Sequence, residues 1–260
     1  MKKVLMLICM LSTGSLCWAQ ATAPSLGSAA KFAVLGSSTV TNGGPTVITG
    51  NLGVAPGTSI TGFPPGTVNG TIDAGDLVAL VAQANATKAY AALKAETCMT
   101  PLTGQDLGGM TLSPGVYCFT SSAQLTGQLT LNGNGVYVFQ IGSTLTTAAN
   151  SSVVLTNGAL CGNVFWQVGS SATLGATNAF VGSILALASD TVGANTSVAG
   201  RVIAVTAAVT LDTDNITVTG CSGGGGGGHH KHCCANEDDD CEKDNHDGNN
   251  QDGNHQEQDD

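Results

Sequence analysis

The stretches SATLGATNAFVG (residues 171–182) and SDTVGANTSVAG (residues 189–200) align without a gap at an offset of 18 residues. Ser171, Gly175 and Gly182 each meet an identical residue in the second stretch. A period of about 18 to 20 residues with no helix inside it is typical of a β-solenoid, in which three short strands and three corners make one coil. The repeat therefore predicts coils stacked about 4.8 Å apart, with equivalent side chains aligned in ladders.

The same period extends through the second half of the chain when a Thr followed by an aliphatic residue marks each coil. Local spacings between these pairs are 19, 18 and 19 residues. The pairs begin at Thr111, Thr130, Thr173, Thr191 and Thr210. Strand-like runs lie nearby, for example GVYVFQI (135–141), NVFWQVG (163–169) and RVIAVTAAVTL (201–211). An ordinary β-sandwich, whose strands come at intervals of about 8 to 12 residues, is the alternative architecture.

One segment interrupts the strands. Residues 73–96, DAGDLVALVAQANATKAYAALKAE, lack proline and are rich in Ala and Leu. They predict a helix over about residues 74–96, with Asp73 as its N-cap and Asp76 in its first turn. An apolar stripe on this helix should pack along one face of the solenoid. The residues expected in the stripe are Leu77, Leu80, Val81, Ala84 and Ala91.

Residues 34–72 lie before the helix and hold the strand-like pieces TVITG and VNGTI between Gly and Pro turns. We expect them to form further coils. Because the helix separates them in sequence from the other coils, they must rejoin the same stack or cap it, which makes the solenoid discontinuous.

The section between residues 21 and 222 is poor in charge and contains no histidine. It has 4 basic and 7 acidic residues, whereas about a quarter of the residues in ordinary domains are charged. It therefore cannot build the basic surface that binds nucleic acid. Without imidazole it has no His-based triad and no His-ligated zinc, and its scattered carboxylates do not indicate a hydrolase pair. These features predict a protein that is not an enzyme and has no cofactor in this section.

The first residues of the chain have the features of a secretory signal peptide. Lys2 and Lys3 precede the apolar run VLMLICML and a small-residue region that ends at Ala19. This run is too short to span a membrane, and no second apolar stretch of about 18 residues follows. We predict that residues 1–19 are removed and that the protein is secreted, an extracellular localisation. Lipid attachment at Cys17 is the alternative.

Export to an oxidising compartment predicts disulfide bonds among the four cysteines of the charge-poor section. We expect Cys98 to pair with Cys118 and Cys161 with Cys221, which is one of three possible pairings. Buried free thiols are the alternative.

The end of the chain differs in composition from the rest. A linker runs from Gly223 to Gly228, and residues 223–260 contain 2 basic and 11 acidic residues but no apolar side chain larger than that of Ala235. The tail at 229–260 is therefore predicted to be disordered. Its His and Cys side chains suit a divalent metal such as zinc, although their spacing matches neither a zinc finger nor an EF-hand. The candidate ligands are His229, His230, His232, Cys233, Cys234 and Cys241.

Longer stretches of the chain carry a family resemblance. They are FAVLGSSTVTNGGPTVITGNLGVAPGTSITGFPPGTVNGTI (32–72), GQDLGGMTLSPGVYCF (104–119), VFQIGSTLTTAANSSVVLTNGALCGNVFWQVGSSATLG (138–175) and AVTLDTDNITV (208–218). Across about residues 28–221 the sequence resembles the microbial ice-binding proteins with a discontinuous β-solenoid and a long flanking helix. The resemblance implies a mostly β fold, a right-handed discontinuous β-solenoid of triangular cross-section with one long α-helix packed alongside. It also implies secretion, no catalysis, and an antifreeze-like protein whose partner is the ice crystal.

The ice-face motif of that family is a Thr, a small residue, any residue, and then Thr or Asn. Thr147-Ala148-Ala149-Asn150 matches it, whereas ATNA (176–179) and ANTS (194–197) have Ala in place of the leading Thr. The resemblance therefore implies weak adsorption through a flat Thr/Ser/Asn face, with inhibition of recrystallisation. The residues that it assigns to ice binding are Thr147, Asn150, Thr177, Asn178, Asn195 and Thr196. The alternative function is a secreted structural or adhesive module that contacts extracellular matrix or a polysaccharide, with a metal-binding tail.

Overall fold

The computed structural model describes residues 20–221. The predicted signal peptide, the glycine linker, and the tail with its candidate metal ligands lie outside the described residues. Within residues 20–221, no helix is long and apolar enough to cross a membrane.

The described chain forms 22 short strands, one α-helix, and two 3-10 helices at Gly27–Lys31 and Cys161–Asn163. Seven strands come first: β1 (Phe32–Gly36), β2 (Thr39–Asn42), β3 (Val47–Thr49), β4 (Asn51–Val54), β5 (Ser59–Thr61), β6 (Thr67–Asn69) and β7 (Ile72–Ala74). The helix α1 (Leu77–Ala95) follows. After it come β8 (Thr100–Pro101), β9 (Thr111–Leu112), β10 (Gly115–Phe119), β11 (Ala123–Leu125), β12 (Gln128–Asn132), β13 (Tyr137–Ile141), β14 (Leu145–Thr147) and β15 (Ser152–Thr156). The last strands are β16 (Val164–Val168), β17 (Ala172–Leu174), β18 (Ala179–Ala186), β19 (Asp190–Val192), β20 (Ser197–Ala204), β21 (Val209–Leu211) and β22 (Asn215–Thr217).

Neighbouring strands are parallel and lie one coil apart in sequence. Ala172 pairs with Asp190, and Gly182 pairs with Gly200, so the offset of 18 residues in the sequence is the register of the sheets. A β-sandwich has antiparallel sheets, which excludes that alternative. The predicted β-solenoid is confirmed.

The strands line three sides of the coil. A seven-stranded sheet, in the order β11-β14-β17-β19-β21-β2-β5, forms the first side. A fifteen-stranded sheet forms the other two, because β18 and β20 continue around a corner at Gly182 and Gly200, where φ is 110° and 151°. A Cβ on Gly200 would lie 1.9 Å from the carbonyl oxygen of Gly182, so a side chain does not fit at this corner.

The two parts of the larger sheet have different surroundings. The mixed side, whose outward residues differ from coil to coil, has the order β9-β12-β15-β18-β20-β22-β3-β6. The covered side, on which α1 packs, has the order β8-β10-β13-β16-β18-β20-β1-β4-β7. The covered side is buried on both surfaces, which explains why its strands are continuous apolar runs rather than alternating ones.

The stack is discontinuous in the way that the sequence indicates. Strands β1, β2 and β3 pair with β20, β21 and β22, so the N-terminal coils lie beyond the C-terminal one. Helix α1 then joins β7, at one end of the covered side, to β8 at the other end. Nine strands span about 38 Å and a helix of 19 residues is about 28 Å long. The helix must therefore run along most of the stack.

Aromatic side chains stack on one another inside the coils. Tyr117, Phe139 and Trp166 lie opposite one another on adjacent strands of the covered side. Their ring centroids are 5.4 Å and 3.9 Å apart, and Phe180 lies 5.0 Å beyond Trp166. The Trp166 Nε1 donates to the Val181 carbonyl oxygen at 3.0 Å, so the buried indole leaves no polar group unpaired.

Helix α1 differs in two respects from the prediction. It begins at Leu77, and its N-cap is Asp76, whose Oδ1 accepts from the Ala79 N–H at 2.9 Å, so Asp73 is not the cap. The predicted apolar stripe is also wrong, because all five of its members are exposed. The buried residues are instead Ala79, Ala82, Gln83, Ala86, Ala89, Tyr90 and Leu93.

The covered side explains this orientation of α1. It already presents large side chains to the helix, including Val116, Val138 and Phe165, so small alanines permit close approach. Glutamines attach the helix to the sheet: the Gln83 Nε2 donates to the Ala204 carbonyl oxygen, and the Gln140 Nε2 donates to that of Leu93 near the helix C-terminus. The helix buries the face that fits the sheet rather than its most apolar face.

Both predicted disulfide bonds are confirmed. Cys98 is bonded to Cys118, and Cys161 to Cys221. The first attaches the segment after α1 to β10, and the second attaches the end of the described chain to the 3-10 helix before β16.

Candidate functional site

Six threonines and one glutamine form a straight outward row across the seven-stranded sheet, which we call row one. Each occupies the exposed position between two inward-facing neighbours of its strand. Thr191 pairs with both Thr173 and Thr210, and Thr41 pairs with both Thr210 and Thr61. In spatial order the row is Gln124, Thr146, Thr173, Thr191, Thr210, Thr41 and Thr61. Its members are therefore spaced by the strand separation of about 4.8 Å.

A second outward row runs beside the first, two residues earlier along each strand, and we call it row two. In spatial order it contains Ser122, Thr144, Ser171, Ser189, Ala208, Thr39 and Ser59. The Thr144 Oγ1 donates to the Ser122 Oγ at 2.8 Å. Every member except Ala208 bears a hydroxyl, and the rows are about 6.6 Å apart. Rows one and two together are the threonine face.

The threonine face contains no charged side chain. In residues 20–221 the exposed charged residues lie on the helix, near the helix, at the end strand or at a corner: Lys31, Asp76, Lys88, Lys94, Asp106 and Asp212. Hydroxyls and methyls in a rigid array about 29 Å long can hold water molecules in a fixed pattern. The same groups include no general base and no activated nucleophile.

The six residues assigned to ice binding by the sequence motif do not form one surface. Thr147, Asn178 and Thr196 are only 3%, 3% and 1% exposed, so their side chains point into the corner beside the threonine face. A buried side chain cannot contact a crystal, and these three residues act instead as corner supports.

The corner supports are joined by hydrogen bonds from coil to coil. The Thr147 Oγ1 accepts from the Asn178 Nδ2 at 3.0 Å, and the Thr196 Oγ1 accepts from the Asn178 N–H at 3.2 Å. The Asp214 Oδ1 in turn accepts from the Thr196 N–H at 3.1 Å, and the Thr46 Oγ1 accepts from the Asp214 N–H at 3.0 Å. This ladder satisfies backbone groups that a tight corner would otherwise leave unpaired.

The other three motif residues are exposed at the same corner. Asn150, Thr177 and Asn195 have φ of 60°, 60° and 61°, and Thr213 continues their ladder with φ of 61°. Asn is tolerated in this left-handed region, whereas a β-branched Thr is unusual there. These residues border the threonine face but belong to the turn rather than to its flat rows.

Two carboxyl groups lie beneath or beside the threonine face. Asp190 points inward under row one, and neither of its oxygens has a hydrogen-bond partner. Complete burial raises its pKa well above the usual value. Burial also raises the pKa of Asp214 to about 7, although its oxygens accept from the backbone N–H groups of Asp212 and Thr196.

The sequence contained a signal for row one that the motif obscured. Of the Thr-aliphatic pairs, Thr173, Thr191 and Thr210 belong to row one, whereas Thr111 and Thr130 pair with each other on the mixed side. The strict alternation of buried and exposed residues in β14, β17, β19 and β21 would have identified the outward Thr. For Thr41 and Thr61 the sequence offered only strand-like spacing.

No group of three or more His, Cys, Asp or Glu side chains that could hold a metal occurs within residues 20–221. The predicted ligands in the tail lie outside this range, so their role stays a prediction.

Comparison with known proteins gives one consistent family. Residues 34–217 match a family described as ice-binding-like. A relative named ice-binding protein from Nostoc sp. (strain HG1) is 56% identical over 197 residues, which are 74% of this chain and 73% of the relative. Another ice-binding protein, from Colwellia sp., is 34% identical over 235 residues and aligns with 83% of this chain and 92% of its own.

Solved structures of similar proteins share the fold. The crystal structure of an ice-binding protein from an Antarctic biological consortium has a TM-score of 0.74 at 41% identity, covering 82% of this chain and 96% of that one. The ice-binding protein of the Antarctic ascomycete Antarctomyces psychrotrophicus has a TM-score of 0.74 at 42% identity, covering 76% and 98%.

Proposed function

This chain belongs to the ice-binding-like family, and on that premise we propose that it adsorbs to ice through its threonine face. The observation that carries the proposal is row one, in which six Thr side chains stand in register on adjacent strands. Each Thr presents a methyl beside a hydroxyl at a fixed spacing, so the row can hold ordered water that merges with a crystal surface. No chemical step is involved.

Rigidity supports this role. Ordering a flexible side chain costs free energy at every contact, but β-branched Thr has few rotamers in a sheet. The parallel hydrogen bonds below the face, the corner supports beside it and the aromatic stack inside the coils hold the rows in place. A surface that is already ordered loses little entropy when it meets ice.

The absence of charge on the face favours the same partner. A lysine or a carboxylate binds its own water strongly, and that water would have to be removed before a crystal could approach. A polysaccharide partner has less support, because every aromatic side chain in residues 20–221 is at least half-buried and none offers a stacking surface. The adhesive alternative therefore rests on no specific observation.

We further propose that the protein is secreted and inhibits recrystallisation with little freezing-point depression. Two disulfide bonds support an oxidising compartment. The face is only two rows wide, and Ala208 interrupts row two, which supports weak rather than strong adsorption.

The test is a matched pair of tyrosine substitutions. Thr191 lies in the middle of row one, and Ser197 is an equally exposed residue of the next strand, on the mixed side. Thr191→Tyr should raise the concentration that inhibits ice recrystallisation by at least about tenfold, since the ring lifts the face from the crystal. Ser197→Tyr should leave that concentration unchanged, and both variants should keep the circular dichroism spectrum of the wild type.

Two outcomes would overturn the proposal. Ice grains that grow as fast with the wild type as with buffer would remove the ice-binding function for this chain. Loss of activity in Ser197→Tyr with retention in Thr191→Tyr would assign adsorption to the mixed side instead.

A further inference from the structure

The outer surface of α1 is unexpectedly apolar. Leu77, Leu80 and Val81 are 73%, 43% and 46% exposed, and Ala84 and Ala91 continue the same exposed stripe. In residues 20–221 four of the nine exposed large apolar side chains lie in the first five positions of this helix. Contiguous apolar surface of this kind marks an interaction site.

We propose that a second copy of this chain covers the stripe, with α1 packed antiparallel against the same helix of its partner. The large residues Leu77, Leu80 and Val81 lie in the first half of the stripe, and the small residues Ala84 and Ala91 lie further along it. A two-fold axis near the middle of the helix places the large half of each helix against the small half of the other. A parallel pair would oppose large with large and leave a gap at the alanines.

Charge complementarity selects the same arrangement. Asp76 and Lys94 are both exposed, and their separation of 18 residues is about five helical turns. They therefore lie on the same flank of the stripe, at opposite ends. In an antiparallel pair the same flanks of two helices meet, so Asp76 faces the partner's Lys94. The two helix dipoles also oppose each other favourably.

The size of the contact defines its strength. A helix about 28 Å long buries less surface in a pair than the roughly 1,600 Å² of a standard stable interface. The dimer is therefore weak and reversible, and its population rises with concentration. Helix α1 lies on the covered side rather than on the seven-stranded sheet, so pairing leaves the threonine face open and does not depend on ice binding.

Sedimentation equilibrium of the full secreted chain, from about 1 μM to about 1 mM, tests the proposal. The wild type should shift from monomer to dimer within this range. Leu80→Lys should raise the dissociation constant by about tenfold or more, because it places a charge in the centre of the contact. Leu160→Lys is the matched control: Leu160 is 48% exposed outside the helix, so its replacement should leave the constant unchanged. Circular dichroism checks that both variants remain folded.

The orientation has its own test. Lys94→Glu should weaken the dimer by facing the partner's Asp76 with a like charge, and adding Asp76→Asn, which keeps a capping side chain, should restore part of the loss. A wild type that stays monomeric throughout, or a dimer unaffected by Leu80→Lys, would overturn the proposed interface. A dimer that is weakened by Leu80→Lys but insensitive to Lys94→Glu would overturn the antiparallel arrangement.

Discussion

The threonine face and the mixed side are two outer surfaces of the same coils, and they differ only in their side chains. Both are parallel sheets with the same strand spacing, and neither has a charged residue in its outward rows. The row of the mixed side that corresponds to row one reads Gln128, Ser152, Ala179, Ser197, Asn215, Val47 and Thr67. No residue type recurs there in adjacent coils, whereas row one contains Thr in six adjacent coils.

This difference teaches that the solenoid by itself does not require a row of threonines. The mixed side tolerates Val, Ala, Ser and Asn at equivalent positions, and its small residues leave a shallow depression lined by Ala179, Val181 and Ala199. Strand propensity would accept the same variety on the seven-stranded sheet. The uniformity of row one therefore points to a partner with a regular surface, which is the basis of the proposed ice adsorption.

The largest expected effect separates the outward row from the corner beside it. Thr146→Tyr should abolish recrystallisation inhibition and leave the melting temperature within about 2 °C of the wild type, because Thr146 is exposed on row one. Thr147→Tyr should lower the melting temperature by about 5 to 10 °C, since Thr147 is buried and accepts hydrogen bonds from Gly175 and Asn178. Calorimetry and a recrystallisation assay on both variants measure the contrast. Equal melting temperatures for the two would contradict the assignment of Thr147 to the corner.

A smaller effect should distinguish the interior from the outward row above it. The unfolded chain ionises Asp190 above about pH 4, whereas the folded chain keeps it neutral because burial raises its pKa. Stability is therefore lost as pH rises from about 4 toward the folded pKa. Asp190→Val, which copies the adjacent Val209, should raise the melting temperature by about 4 °C or more at pH 7 and leave it unchanged near pH 3. Ice activity should not change, because Asp190 points away from row one. An equal gain at both pH values would exclude ionisation as the cause.

The exposed corner ladder should respond weakly and in both directions. Thr177→Asn should raise the melting temperature by about 2 to 4 °C, because Asn tolerates a φ of 60° better than β-branched Thr does. Asn195→Thr, the matched change one coil away, should lower it by a similar amount. If both substitutions shift stability in the same direction, backbone conformation is not what distinguishes these positions.

The smallest expected effect tests whether row two contributes to adsorption. Ala208→Thr completes the hydroxyls of row two and should lower the inhibitory concentration by about twofold. Ala199→Thr adds the same group to the mixed side and should have no effect on recrystallisation. A gain from Ala199→Thr equal to that from Ala208→Thr would remove the distinction between the two surfaces.

Much of the fold was predictable because a solenoid writes its register into the sequence. The offset between SATLGATNAFVG and SDTVGANTSVAG became the pairing of β17 with β19 and of β18 with β20. The disulfide partners also followed from export and the number of cysteines. The helix stripe was not predictable from periodicity, because the large side chains of the covered side determine which face of α1 can approach them.

The candidate site was predicted less well than the fold. The family motif selected Thr147, Asn178 and Thr196, but a motif counted along the chain does not distinguish an outward residue from an inward one at a corner. A shift of one position exchanges the two faces of a strand, so Thr146 lies on row one while Thr147 is buried next to it.

The sequence by itself determined the coil length, the strand character, the low charge and the presence of a long helix, because each depends on local composition or on a short repeat. Only the tertiary structure decided that Thr41 and Thr61 extend the row begun by Thr146. Thr41 pairs with Thr210, although 169 residues separate them in sequence. That contact exists because α1 spans the stack and lets the N-terminal coils close onto the C-terminal one, where parallel strands with unpaired backbone groups accept them.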